Sequence, residues 1–210
     1  MSLYLKDERK ERGMRLGKEL EFGQITTRGG DRGETSLYNG ERRRKDDLLF
    51  ETLGDLDELT SSLGVVKAGL RQFSPLKKGD QRQNQWLDVL EQIQKDLIQL
   101  GGMVANPDNR STLKGGGITE KTVTKLEKYQ KKLMESTTFP REFIHPGETL
   151  VSAWIDVART VCRRCERRVV RCIRDGVLTH LIPCQVYLNR LSDYLFVSGR
   201  YWEQADPDLL

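Results

Sequence analysis

The chain has almost no histidine: His145 and His180 are the only two in 210 residues. Two isolated imidazoles give no nucleophile–base–acid constellation, and both are read as incidental or structural. They also leave a His/Cys metal site few ligands, and no metal ligand is assigned. Cysteine is scarce too, at four: Cys162, Cys165, Cys172 and Cys184. Cys162 and Cys165 form a C-x-x-C inside a helical pattern. There their Cβ atoms would stand about 5–6 Å apart, beyond the roughly 3.5–4.5 Å of a disulfide. The cysteines are expected as small core residues.

Long apolar runs are missing. None approaches the ~18 residues that a membrane helix needs. The opening stretch MSLYLKDERKERGMRLGKELEFG mixes acids and bases with no apolar signal core. Its acids also argue against a transit peptide. A cytoplasmic location is expected; the mitochondrial matrix would apply only to a eukaryotic source. A dominant charge is missing as well, since 35 Lys and Arg against 31 Asp and Glu leave +4. That balance does not suggest a general nucleic-acid binder. Alternating strand patterns, internal repeats, the Walker A loop and the dinucleotide G-x-G-x-x-G are all absent.

What is present is helical periodicity. Leu49, Leu53, Leu56, Leu59, Leu63, Val66 and Leu70 recur every three or four residues, the spacing of a buried helical stripe. A second stripe runs through Trp86, Leu90, Ile93, Leu97, Leu100 and Val104, and a third through Val123, Leu126, Tyr129 and Leu133, with Thr119 as its N-cap. A fourth helix is expected from about Thr149 to Asp175-Gly176. A fifth starts near Pro183, with Leu188, Leu191, Leu195 and Trp202 inward. Breaks fall at Ser74-Pro75, at 106–117 and in the Pro-bracketed FPREFIHPG of 139–147. The expected architecture is an all-α bundle of five helices. Residues 1–23 are expected as a flexible leader, 24–203 as one helical domain and 204–210 as a tail.

Two stretches carry chemistry. Residues 24–45, QITTRGGDRGETSLYNGERRRK, hold four glycines among hydroxyls and bases. Glycines let backbone N–H groups approach an anion, although a plain flexible loop has the same composition. Residues 158–174, ARTVCRRCERRVVRCIR, carry seven arginines and one acid, Glu166. At about 100° per residue, Val161, Cys162, Cys165, Val169 and Ile173 share one arc. Arg159, Arg163 and Glu166 lie together beside it, and Arg164, Arg168 and Arg171 lie further round. The helix is thus expected to bury one side and carry guanidinium groups along the other. Arginine rather than a Lys/Glu mixture points to bidentate binding of phosphate or carboxylate. An ordinary basic surface helix has the same pattern. In the last helix Asn189 and Asp193 share a face, as a structural cap or as site residues.

Three blocks together, TTRGGDRGETSLYNGERRRKDD (26–47), FIHPGETLVSAWIDVARTVCRRCERRVV (143–170) and YLNRLSDYLFVSGR (187–200), resemble the PduO-type ATP:cob(I)alamin adenosyltransferases. The likeness runs from about Gln24 to Arg200. It implies a five-helix bundle assembled as a homotrimer with active sites between subunits. It implies transfer of the 5′-deoxyadenosyl group of ATP to the cobalt of cob(I)alamin, giving adenosylcobalamin and triphosphate. ATP and cobalamin are then substrates, and Mg2+ is expected on the ATP phosphates. The resemblance puts Thr27, Arg28, Gly29, Gly30, Thr35 and Lys45 on the triphosphate, and Arg163, Glu166, Arg167 and Asn189 around the rest of the ATP. It pairs Arg159 with Asp57 of a neighbouring subunit. It sets Phe143 under the corrin ring, with Asn189 and Arg190 also at the cobalamin. A reductase and an enzyme that accepts adenosylcobalamin are implied partners; nucleic acid and membrane are not. This chain has Gly29-Gly30-Asp31 where the family usually has Thr-Gly-Asp, and Cys165 where alanine is usual. The D-x-H-x-x-G string of cobalamin mutases is absent. Other readings are a non-enzymatic bundle that binds a phosphate-rich ligand or RNA through its arginines, and a cobalamin carrier.

Overall fold

The computed structural model describes residues 21–74, 80–109, 115–176 and 178–205. Five long helices form the bundle: α2 (Leu48–Phe73), α3 (Gln81–Val104), α4 (Glu120–Met134), α5 (Leu150–Gly176) and α6 (Ile182–Gln204). A single turn, α1 (Phe22–Ile25), and a small hairpin, β1 (Glu34–Ser36) with β2 (Arg42–Arg44), precede them. A 3-10 turn, Thr179–Leu181, leads into α6.

The helices begin where their caps lie. Asp47 accepts a hydrogen bond from Leu49 N and starts α2; Asp80 does the same for Arg82 N and α3. Thr119 caps α4 reciprocally with Thr122. Thr149 Oγ1 accepts from Ser152 N at 3.0 Å and opens α5. Pro183 lies in the first turn of α6, where its missing N–H leaves nothing unpaired.

Each apolar stripe turns inward. Leu59, Leu63, Val66 and Leu70 of α2, Leu90 and Leu100 of α3, and Leu188, Leu191 and Leu195 of α6 are fully buried. Each such side chain contributes about 1.5–3 kcal/mol relative to exposure. All four cysteines are buried and free, as the helical spacing predicts. α2 and α5 run antiparallel and close: a Cβ added at Gly69 would stand 1.9 Å from Cζ3 of Trp154. Only glycine allows that approach. Phe73 packs on the same indole at a centroid distance of 6.0 Å.

The hairpin departs from the all-helical expectation. Its strands are three residues each, paired Glu34 to Arg44, Thr35 to Arg43 and Ser36 to Arg42. Polar residues fill both faces, so no apolar alternation marks it in the sequence. Backbone pairing holds it, and Leu37, buried at its tip, anchors it to the core. Tyr38 N donates to Ala105 O at 3.2 Å, tying it to the end of α3. The expected leader also differs at its end, because residues 22–25 are helical; residues 1–20 lie outside the described residues, as does 206–210 of the expected tail. Among the described residues no helix is long and apolar enough to cross a membrane.

Candidate active site

The arginines of α5 divide into two sets. Arg164 and Arg168 turn toward α2. Arg164 binds Asp55 at 3.2 Å and also Glu58; Arg168 binds Glu51 at 2.6 Å and Asp55 at 3.3 Å. Arg171 and Arg174 pair with Asp175. Arg159 donates from Nε to Asp156 at 2.8 Å. Arg163 and Arg167 are exposed and make no hydrogen bond or ion pair among the described residues. The single arginine face expected from the helical wheel is therefore corrected. Five guanidinium groups are matched to acids of the chain itself: two by Glu51, Asp55 and Glu58, which α2 presents one turn apart, and three by Asp156 and Asp175 of α5. Two, spaced by four residues on one face, remain unmatched.

Glu166 lies between those two in sequence and reaches the other way, toward α6. Asn189 donates from Nδ2 to Glu166 Oε1 at 3.1 Å. Arg190 Nη1 donates to Asn189 Oδ1 at 2.6 Å, and Arg190 Nε to Glu127 Oε1 of α4 at 2.8 Å. Three helices thus fix one carboxylate, one amide and one guanidinium beside Arg163 and Arg167. Glu127 was not singled out from the sequence; it reads as one acid in a lysine-rich helix, and only the packing of α4 on α6 gives it a role. Asp193, also exposed, makes no hydrogen bond to this set.

The glycine-rich segment folds around Lys45. Its N donates to Gly33 O at 2.8 Å. Its amino group lies against Gly30, where an added Cβ would come within 2.8 Å of Nζ. Thr27 Oγ1 accepts from Gly29 N at 3.4 Å, and Arg42 donates to Gly29 O at 3.1 Å. Arg28 holds φ 56°, a left-handed backbone rarely adopted outside glycine. Thr35 is half-buried in β1. The result is a compact turn that sets the Lys45 amino group against Gly30, with the N–H groups of Gly29, Asp31 and Gly33 bonded within the turn itself.

Phe143 is 100% exposed, so its ring takes no part in the core. Asp57 is exposed on α2. Among the described residues no ion pair joins it to Arg159 within the chain. The hairpin and Phe143 also stand at opposite ends of the bundle. The hairpin adjoins the start of α2, whereas Phe143 precedes α5, whose first turns meet the end of α2 at Gly69 and Phe73. The 26 residues of α2 separate them, about 39 Å at 1.5 Å per residue.

The thiols play no nucleophilic part. Burial pushes Cys165 and Cys184 each up to about 12 and raises Cys162 well above its ordinary value.

Known proteins resemble this chain over most of its length. The sequence profile of the cobalamin adenosyltransferase family matches residues 25–202. A corrinoid adenosyltransferase of Citrobacter freundii is 38% identical over 186 residues, 89% of this chain and 98% of its own length. The Mus musculus corrinoid adenosyltransferase is 34% identical over 181 residues, 85% of this chain and 72% of its own. Among solved structures, a phenylalanine-to-alanine variant of the PduO-type ATP:corrinoid adenosyltransferase from Lactobacillus reuteri, complexed with cobalamin and ATP, superimposes with a TM-score of 0.74. It is 27% identical and covers 87% of this chain and 94% of its own. An arginine-to-lysine variant of that enzyme, complexed with ATP, gives 0.73 at 28% identity, with coverages of 87% and 95%. By the match over residues 25–202 and the relatives above 30% identity, this chain belongs to the cobalamin adenosyltransferase family.

Proposed function

We infer that the chain transfers the 5′-deoxyadenosyl group of ATP to the cobalt of a reduced corrinoid, releasing triphosphate. One observation carries the assignment on this chain's own residues. Of seven arginines in 159–174, only Arg163 and Arg167 are left unmatched by acids among the described residues, and they flank the anchored Glu166 in sequence. Two such uncompensated cations suit a substrate that brings its own negative charge. The Co(I) centre of the substrate is the nucleophile and the ribose C5′ is attacked. The C5′–O bond breaks, and its electron pair leaves with the triphosphate. Preorganised cations stabilise that developing charge. Arg163, Arg167 and Lys45 are assigned to it, with Thr27, Arg28, Gly29, Gly30 and Thr35 supplying N–H and hydroxyl donors. Glu166 and Asn189 are assigned to the adenosine half of ATP. Phe143, Asn189 and Arg190 are assigned to the corrinoid side, where a bare aromatic ring offers contact without a lone pair.

The ion Mg2+ is assigned to the ATP phosphates. It keeps several waters and binds mainly through substrate oxygens. Among the described residues no group of three or more His, Cys, Asp or Glu is placed to hold a metal.

The separation of the hairpin from Phe143 supports a homotrimer in which neighbouring copies complete each site. Phe143 would meet a corrinoid held against another copy's hairpin, and Asp57 would pair with Arg159 across the contact. A reductase supplying Co(I), an acceptor enzyme for the product and a cytoplasmic setting complete the proposal.

Mixing the protein with ATP, Mg2+ and chemically reduced cob(I)alamin tests the reaction. The Co(I) absorbance should decay only with ATP, and adenosylcobalamin should form. Corrinoid binding with no ATP-dependent chemistry would leave a carrier. No corrinoid binding at all would leave an anion-binding bundle. Light scattering should give about three chains per particle, and a monomer would end the shared-site proposal.

A further inference from the structure

The segment that carries Phe143 follows the end of α4 at Met134 and is exposed at nearly every residue from 140 to 148. Among the described residues its outer part, 140–147, makes no hydrogen bond. Its entry is held differently. Gln204, in the last turn of α6, clasps the backbone of Thr138 from both sides. Thr138 N donates to Gln204 Oε1 at 2.9 Å, and Gln204 Nε2 donates to Thr138 O at 2.6 Å. The side-chain amide thus occupies the place of a paired strand, and the two bonds fix both the position and the direction of the peptide. The next residue, Phe139, stacks on Phe196 of α6 with centroids 6.2 Å apart and planes 15° from parallel.

The platform below is stiff. Arg200 lies over the Phe196 ring, 5.6 Å from its centroid. Arg200 is 2% exposed and is gripped by Glu203 at 2.6 Å and by Asp156 at 2.8 Å. Asp156 in turn holds Arg159. A loop stem seated on a buried ion pair has little freedom. Five residues beyond Gln204's grip on Thr138 comes Phe143, whose ring touches nothing in its own chain.

We propose that Gln204 is a positioning residue for the corrinoid side of the reaction: its amide clasp on Thr138 sets where the Phe143 segment projects. The proposal rests on the adenosyltransferase reading for its consequence, but the clasp itself is measurable without it. The side-chain hydrogen bonds of Gln204 go to the Thr138 backbone, so its role in the proposal is carried by the peptide it holds. Its own side chain is exposed, so replacing it removes no core packing.

The test uses the full chain with Gln204→Ala, and Gln204→Glu beside it. The glutamate keeps the acceptor for Thr138 N–H but sets an oxygen against the Thr138 carbonyl. Amide hydrogen exchange resolved to single residues is expected to speed up at least fivefold at the Thr138 amide in Gln204→Ala, and less in Gln204→Glu, which keeps the acceptor for that N–H. Peptides from α2 and α5 should stay unchanged. The KM for the corrinoid should rise about fivefold or more, with the KM for ATP within twofold of the parent. In a Phe143→Ala background, Gln204→Ala should add nothing further, because both changes act through one ring. Unchanged exchange at the Thr138 amide in Gln204→Ala would overturn the clasp. A fully additive loss in the double variant, or an equal rise in both KM values, would overturn the positioning role. If the parent protein forms no adenosylcobalamin, the functional reading fails, while the exchange data still decide the clasp.

Discussion

Arg190 decides which end of the Asn189 amide meets Glu166. Its Nη1 donates to Asn189 Oδ1 at 2.6 Å, so the amide nitrogen must face the carboxylate, which it reaches at 3.1 Å. Glu127 holds Arg190 from the far side at 2.8 Å. An acid, an amide, a base and a second acid therefore alternate across α5, α6 and α4, and each donor has an acceptor.

Asn189→Asp breaks that alternation by setting two carboxylates against each other. A charged hydrogen bond contributes about 1.5–3 kcal/mol, and about 1.4 kcal/mol is tenfold in affinity. ATP affinity should fall at least about tenfold by calorimetry, with the fold intact by circular dichroism. Arg190→Met, which frees the amide to turn, should cost less. Parent-like ATP binding in Asn189→Asp would remove this pair from the site.

Arg163→Lys keeps the charge and loses the planar fork. Removing one preorganised donor at developing charge costs roughly 10²–10³ in rate. Turnover should drop by that order, with little change in melting temperature, since Arg163 is exposed and makes no ion pair among the described residues. Arg164→Lys is the contrasting case: its partners are Asp55 and Glu58 of α2, so stability should shift more than turnover.

The proposed contact between copies is tested by charge reversal. Asp57→Arg alone should lose most activity, and adding Arg159→Asp should recover part of it. Arg159 already donates Nε to Asp156, so recovery will be incomplete. Strictly additive losses would place the two residues apart.

Gly69→Ala is expected to destabilise the bundle. Alanine gains about 1 kcal/mol in helix propensity, but its Cβ would stand 1.9 Å from the Trp154 ring. Overpacking of this kind costs roughly 1–3 kcal/mol, and a ring wedged against Phe73 gives way poorly. Thermal unfolding should come several degrees lower. A raised melting temperature would show that Trp154 swings aside freely.

Cys165 and Cys184, with thiols pushed up to about 12 by burial, should resist iodoacetamide at pH 8 and react once urea unfolds the chain. The sign of the linkage follows. The folded value exceeds the ordinary 9.0. The stabilisation is thus full below about pH 9 and is lost as pH rises toward 12. Fast alkylation of the native protein would mean these sites open to solvent.

The sequence by itself determined the five helices, because a three-to-four-residue apolar period can be buried on one side only. It determined the cap at Thr119, a local hydrogen bond, whereas the caps at Asp47 and Asp80 came from the structure. The buried thiols followed from the same period, and the family likeness from three contiguous blocks. What it could not assign was which arginine answers which acid. Arg164 and Arg163 are neighbours with identical chemistry; only the packing of α5 on α2 sends one to Asp55 and leaves the other outward. The hairpin was hidden because backbone pairing, not side-chain alternation, makes it. The buried Arg200–Asp156 pair joins residues 44 apart, a distance no local pattern spans. Tertiary structure decided those matters, because each depends on two helices meeting in one register.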